Sequence, residues 1–320
     1  MRDQAHNKIS EFGPFQGAER GERGFSLLEL LVVMSIFLLV ISSVYALYNT
    51  QLKTTHIEED VIEVQQNLRV AVDILSRDVA MAGIAVSSGT NPVNAVANNS
   101  GLDGSDQVTF NNASADGVFT IVDVTLSVSV LGGTPIVFTV GSATEAEMFN
   151  VDDAVRIINS SEKSQPAATV FTVTAKNTAT PSLTLKPAVS AGSVKFMRGN
   201  LIARTGTSAL DPYPNTILYC VGPAVGCAPA VTRCPTGQKC LMRIVNATPA
   251  EESVVATNIE DFQLTYILDN TGLIESDLPG DLSLVRAMRI TMVGETFNTA
   301  GLSSAPKSRE LTNIVKLRNR

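Results

Sequence analysis

Three hydrophobic patterns follow one another along the chain. From Phe25 to Tyr48 nearly every position is apolar, and the one charge is Glu29. At about 1.5 Å per residue such a helix is roughly 36 Å long, enough to cross a hydrocarbon core of about 30 Å. Beyond it, Ile57, Val61, Val64, Leu68, Ala71, Leu75, Val79 and Ala82 recur at steps of three and four, which is one apolar stripe of a helix. Glu58, Glu59, Glu63, Arg69, Asp73 and Arg77 fall on the other face, and Gly83 is placed to cap the end. The two patterns predict one helix from Phe25 to about Ala82. Its first half is apolar all round, and its second half needs a domain to pack on.

The third pattern is alternation. Val122, Val124, Leu126, Val128 and Val130 alternate with Asp123, Thr125, Ser127 and Ser129, predicting a strand with one dry face. Shorter strands are predicted at Ile136–Val140, Ala154–Ile158, Thr169–Thr174 and Leu183–Leu185. Longer ones follow at Ile217–Cys220, Leu241–Val245, Phe262–Leu268, Leu284–Val293 and Leu311–Leu317. The stretch Val86–Asp106 has the Ser, Gly and Asn content of an irregular surface loop. The fold class is therefore α+β: a long N-terminal helix (25–83, spanning a membrane at about 25–48) packed on an antiparallel β-rich globular domain (84–320).

Composition and charge narrow what this architecture does. With 44% hydrophobic and 17% charged residues in 320, the chain buries a sizeable core and is not disordered. Its net charge of −7 and lack of a basic patch with interleaved aromatics argue against nucleic acid as a partner. Arg20 and Arg23 abut the apolar run on one side, whereas Lys53 is the comparable residue on the other, so the positive-inside rule places the C-terminal bulk outside the cytoplasm. Four cysteines, Cys220, Cys227, Cys234 and Cys240, lie in one short stretch of that bulk. Their spacing lacks the paired C-x-x-C knuckles of a zinc site, and disulfides are expected. The predicted strands Ile217–Cys220 and Leu241–Ile244 suit a hairpin with nested pairing, Cys220 to Cys240 across its base and Cys227 to Cys234 inside the loop.

The two histidines, His6 and His56, are far from the strands, so no histidine triad or multi-histidine metal site is available there. Asp103 with Asp106, and Asp152 with Asp153, lack a calcium-loop pattern and read as solvated turn carboxylates. No catalytic residue, metal ligand or cofactor is expected. Glu29 is the anomaly, because an ionised carboxylate within a membrane span costs on the order of a few kcal/mol and calls for a partner cation.

Gly24-Phe25-Ser26-Leu27-Leu28-Glu29 followed by a long apolar helix resembles a type IV prepilin. The resemblance implies a leader, Met1 to Gly24, removed by a prepilin peptidase between Gly24 and Phe25, and N-methylation of Phe25. The new α-ammonium would then be the cation that Glu29 pairs with, its own or a neighbour's. This leader is longer and less basic than is usual in that family, and it contains Gly13-Pro14. Gln65-Gln66-Asn67-Leu68-Arg69-Val70-Ala71, Leu75 through Arg77-Asp78 to Gly83, Tyr266 with Asp269, and Leu284-Val285-Arg286 are similar to PilW-like minor pilins and to J-type pseudopilins of type II secretion. This implies a minor pilin that helps to prime a type IV pilus near its tip. Its partners would be the major pilin and other minor pilins, with the inner membrane as its location before assembly and the pilus at the cell surface after it. Alternatives are a J-type pseudopilin, a secretory signal peptide ending at Val44-Tyr45-Ala46, a plain signal anchor, or a membrane-tethered adhesin whose middle region binds a ligand.

Overall fold

A computed structural model describes residues 25–318, except 85, 87–89, 115, 163, 207–213, 223–226, 228–232, 236, 248–251, 270–273 and 297–305. The helix α1 runs Leu27–Met81. It crosses two compact units, 1–54 and 55–320, which are taken separately. In the first, the helix is exposed on all faces. Serine hydroxyls along it bond within the helix: Ser35 Oγ donates to Leu31 O at 2.8 Å and Ser43 Oγ to Leu39 O at 2.9 Å. Such local bonding lets a hydroxyl sit in an apolar medium without an unmet donor.

In the second unit the helix buries Val64, Leu68, Ala71, Val72, Leu75, Asp78 and Val79, the expected stripe with one carboxylate in it. Gly83 ends the helix in the left-handed region at φ 75°, and its N–H donates to Asn111 O at 2.7 Å. The remaining elements are β1 (Val93–Ala97), β2 (Gln107–Asn112), β3 (Phe119–Ile121), β4 (Leu126–Val130), β5 (Ile136–Thr139), α2 (Ala143–Glu147), β6 (Ala154–Ile158), β7 (Phe171–Asn177) and β8 (Ser182–Pro187). They continue as β9 (Gly192–Phe196), β10 (Leu201–Gly206), β11 (Asn215–Gly222), β12 (Cys240–Val245), β13 (Glu252–Thr257), β14 (Ile259–Leu268), β15 (Ile274–Ser276), β16 (Val285–Glu295) and β17 (Ser308–Lys316).

Two antiparallel sheets, β1-β2-β11-β12-β13 and β15-β14-β16-β17, share one hydrophobic core with the helix. Alternation puts Ile217, Tyr219 and Val221 of β11, and Phe262, Leu264 and Tyr266 of β14, into that core against Leu68, Leu75 and Val79. The helix comes close to Gly294 of β16, where an added Cβ would lie 2.7 Å from Val64 Cγ1, 3.2 Å from Leu68 Cγ and 3.2 Å from Asn258 O. A side chain there requires the Val64 side chain or its neighbours to shift.

Between β2 and β11 the chain leaves this body and returns, although the two strands are direct neighbours with Asn112 opposite Asn215. The excursion builds a second core of its own. Six strands in the order β3-β10-β6-β7-β8-β5 are closed edge to edge by a Val122–Val140 bridge and by Asp123 N–H donating to Thr139 O at 2.9 Å. The result is a small barrel in which the two outer strands of the sheet meet. Phe138, Phe171 and Phe196 meet edge to face inside it, with centroids 5.0 to 6.2 Å apart. Ala146 of α2 and the following Phe149 complete the filling, and β4 with β9 forms a separate two-stranded ribbon.

Two expectations change here. The strand predicted over Val122–Val130 is interrupted at Asp123–Thr125: Val122 belongs to the barrel closure, whereas Leu126–Val130 pairs with β9. Alternation runs unbroken through a change of partner, so it does not reveal one. The stretch predicted as a surface loop contains β1, which pairs along β2 at the edge of its sheet. Small residues and asparagines are tolerated at such an edge, which lowers the strand signal.

Candidate processing and anchoring site

Phe25 and Ser26 precede the first helical turn, and Leu30 N–H donates to Ser26 O at 3.1 Å, which makes Ser26 the N-cap. Glu29 lies in the first turn, where a carboxylate complements the positive end of the helix dipole. That placement is a second reason for an acid at this position, besides a partner cation. Phe25 is 81% exposed, as are most apolar side chains from Leu27 to Tyr48 to lesser degrees. The helix is long and apolar enough to cross a membrane. Gly24 lies outside the described residues.

Asp78 is the carboxylate in the buried stripe. It is held by two donors on the neighbouring sheet: Tyr219 Oη and Arg243 Nε each donate to Asp78 Oδ2 at 2.7 Å. Burial acts most strongly, to lower the Arg243 pKa, but the charge and hydrogen bond of Asp78 together with Tyr219 more than offset it, so the guanidinium pKa is raised. Burial, reinforced by Asp78, pushes the Tyr219 phenol well above its ordinary value. The pair Arg77-Asp78 thus divides its roles, since Arg77 faces solvent and Asp78 ties the helix to β11 and β12. Sequence reasoning marked these residues without seeing the tie. The signal was a charge three residues from Leu75 and one before Val79, on the buried side.

The predicted hairpin is present as β11 and β12, but the nested cysteine pairing is not. Cys220 bonds Cys227 and Cys234 bonds Cys240, with Cα separations of 5.6 and 5.8 Å. The register is the reason: Cys220 faces Met242 and Cys240 faces Gly222. That sets the two cysteines on a diagonal, about 7–8 Å apart, beyond the usual Cα reach of a disulfide, about 4.4–6.8 Å. Each cysteine at the hairpin end instead closes a short loop, and all four gather with Met242 and Ile244 on the sheet face away from the helix.

The acidic pairs are not simply solvated. Asp106 is buried and accepts from Asn99 N at 2.8 Å and Leu264 N at 2.7 Å, pinning the Asn99–Asp106 loop to β14. Burial raises its pKa despite those two bonds. Asp103 pairs with Lys239 at 2.6 Å. Asp153 is buried and accepts from Asn150 N at 2.7 Å and from Arg204 at 3.3 Å, while Asp152 is exposed. Asp269 and Arg286, singled out separately by the resemblance, pair with each other. Among the described residues no group of three or more His, Cys, Asp or Glu is placed to hold a metal ion.

A family model described as the prokaryotic N-terminal methylation motif matches residues 20–45. The match covers Gly24, Phe25 and Glu29 and most of the apolar half of α1. No curated protein matches the chain. The motif is of the type IV prepilin kind and, with the apolar helix, supports a protein of the pilin or pseudopilin type. It implies processing by a prepilin peptidase, membrane anchoring and assembly with other pilins, and it points to a structural protein rather than an enzyme.

Proposed function

We propose that this chain is a minor pilin of a type IV pilus, a low-copy subunit that helps to prime the filament near its tip. The observation that carries the reading is a single helix whose exposed, lipid-length first half bears the methylation motif and whose second half is amphipathic and packed on a β body. In this reading residues 1–24 are a leader cut between Gly24 and Phe25, Phe25 is N-methylated, and 84–320 lies outside the cytoplasm on a single-span anchor until assembly. Glu29 acts in assembly by pairing with an α-ammonium. An opposite charge within about 4 Å in a medium of low effective dielectric recovers much of the cost of placing a carboxylate there.

Intact mass of the mature protein tests cleavage and methylation together. A mature N-terminus at Leu47 would replace the reading with a secreted protein. For Glu29, a Glu29→Gln variant should be cleaved and retained in the membrane yet enter filaments poorly. Incorporation equal to wild type discards the pairing role and leaves the helix-dipole role. The barrel between β2 and β11 favours a second reading, in which the chain also displays a ligand-binding module. It has its own core and leaves the pairing of β2 with β11 intact.

A further inference from the structure

The barrel carries a tip made by two neighbouring turns, residues 131–135 between β4 and β5 and residues 188–191 between β8 and β9. The turns are tied together: Gly132 N–H donates to Ser190 Oγ at 2.8 Å, Gly133 N–H to Pro187 O at 2.9 Å and Ala191 N–H to Val130 O at 3.0 Å. Every residue of both turns is exposed, so the tip is a projection rather than a groove. Leu131 is 52% exposed, and Val189 and Val137, the second residue of β5, are each 58% exposed. We propose that this tip inserts its aliphatic side chains into the surface of a phospholipid bilayer that carries anionic lipids, one other than the bilayer that holds α1.

Single exposed aliphatics are ordinary on a protein surface, and the surroundings are what distinguish these. Residues 124–144 and 178–194, which build the tip, contain one charged residue, Lys186, in a chain of which 17% is charged. Lys186 is exposed and has no ion-pair partner among the described residues. A Cβ placed at Gly133 would lie 3.9 Å from its Cε, so the lysine stands beside the turn. The nearby carboxylates belong to other turns. Asp123 pairs with Arg198 at 3.0 Å at the opposite end of the β4–β9 ribbon, and Glu162, on the turn after β6, accepts from Ser164 Oγ at 3.3 Å. Aliphatic side chains at the crest with a cation behind them match a bilayer surface, where apolar groups enter the acyl boundary and a lysine stays among anionic headgroups. A standard protein interface takes about 20–30 residues a side, more than the two turns supply. The barrel also adjoins the last turn of α1, where a Cβ at Gly117 would lie 3.4 Å from Met81 Sδ. Within the body it therefore sits at the end of the helix away from Thr55, which suits contact with a second bilayer.

The inference does not depend on the pilin reading, since a chain left uncut at Gly24 keeps both α1 and the barrel. The test holds the full chain in nanodiscs of phosphatidylcholine and adds vesicles, either of phosphatidylcholine alone or of phosphatidylcholine with phosphatidylglycerol, and measures the discs that cosediment. The mixed vesicles should carry down the wild type. Leu131→Ser combined with Val189→Ser should weaken that binding about a hundredfold, at about tenfold for each aliphatic side chain. Lys186→Gln should weaken binding to the mixed vesicles about fivefold and leave binding to phosphatidylcholine unchanged. Ile314→Ser, which removes an aliphatic side chain 51% exposed on β17, should change neither. All four residues are exposed, so the variants should keep the wild-type circular dichroism. The proposal is overturned if wild type does not cosediment with the mixed vesicles, if the double tip variant binds as well as wild type, if Ile314→Ser costs as much, or if Lys186→Gln acts equally on both vesicles. Discs that associate through the tip without vesicles would overturn it too, in favour of a second copy of this chain as the occupant.

Discussion

Replacing Asp78 by alanine should be among the most damaging single changes in the body of this protein. The variant leaves Arg243, whose side chain is 18% exposed, as a cation on a buried sheet face, and it removes the acceptor of the fully buried Tyr219 hydroxyl. Breaking a buried pair by deleting one partner costs about 3–5 kcal/mol. An exposed pair costs about 0–1 kcal/mol. The chain's stability should lie on the order of 5–15 kcal/mol, so the expected loss is a large fraction of the whole. The chain has no tryptophan, so urea unfolding is best followed by tyrosine fluorescence and near-UV circular dichroism, to which buried Tyr219 and Tyr266 contribute. With a urea slope of about 3 kcal/mol/M, the midpoint should fall by about 1–1.7 M. Asp78→Leu combined with Arg243→Met removes both charges together and should recover most of the loss, since apolar replacements of buried ion pairs are often neutral. A cost below about 1 kcal/mol for Asp78→Ala would refute the reasoning, placing this tie in the class of surface pairs.

Other consequences are as direct. Peptide mapping without reduction should recover Cys220 linked to Cys227 and Cys234 to Cys240, and loss of either short loop should cost about 2–3 kcal/mol by the chain-entropy estimate; nested links would contradict the observed register. Gly294→Ala should destabilise by about 1–3 kcal/mol through overpacking against Val64 and Leu68, measured by the same urea titration. Because the Asp106 pKa is raised in the folded protein, its contribution to stability is greatest below the ordinary carboxylate pKa and fades as pH rises through the elevated native value. The unfolding free energy of wild type minus that of Asp106→Asn, followed from about pH 3 to 7, should therefore decline with increasing pH.

The helix was the most legible element. Its ends fall within about two residues of those predicted, because a lipid-length apolar run and a stripe at steps of three and four are local properties of the chain. The strands Ala154–Ile158 and Leu241–Val245 were legible for the same reason, since a period of two needs no knowledge of the neighbour. The methylation motif at Gly24 to Glu29 was legible as well, because it is a run of consecutive residues.

What tertiary structure alone decided was which strand lies beside which. β2 and β11 are neighbours across the whole length of the barrel, and no local pattern marks two distant strands as partners. The unbroken alternation of Val122–Val130 conceals the point where one strand ends and a ribbon begins. Cysteine pairing depended on register, which sets Cys220 opposite Met242 and out of reach of Cys240. The fates of Asp78, Asp106 and Asp153 depended on which buried donors the fold brought to them. A carboxylate looks the same in sequence whether water or a buried guanidinium satisfies it, and only the three-dimensional arrangement supplies the difference in surroundings.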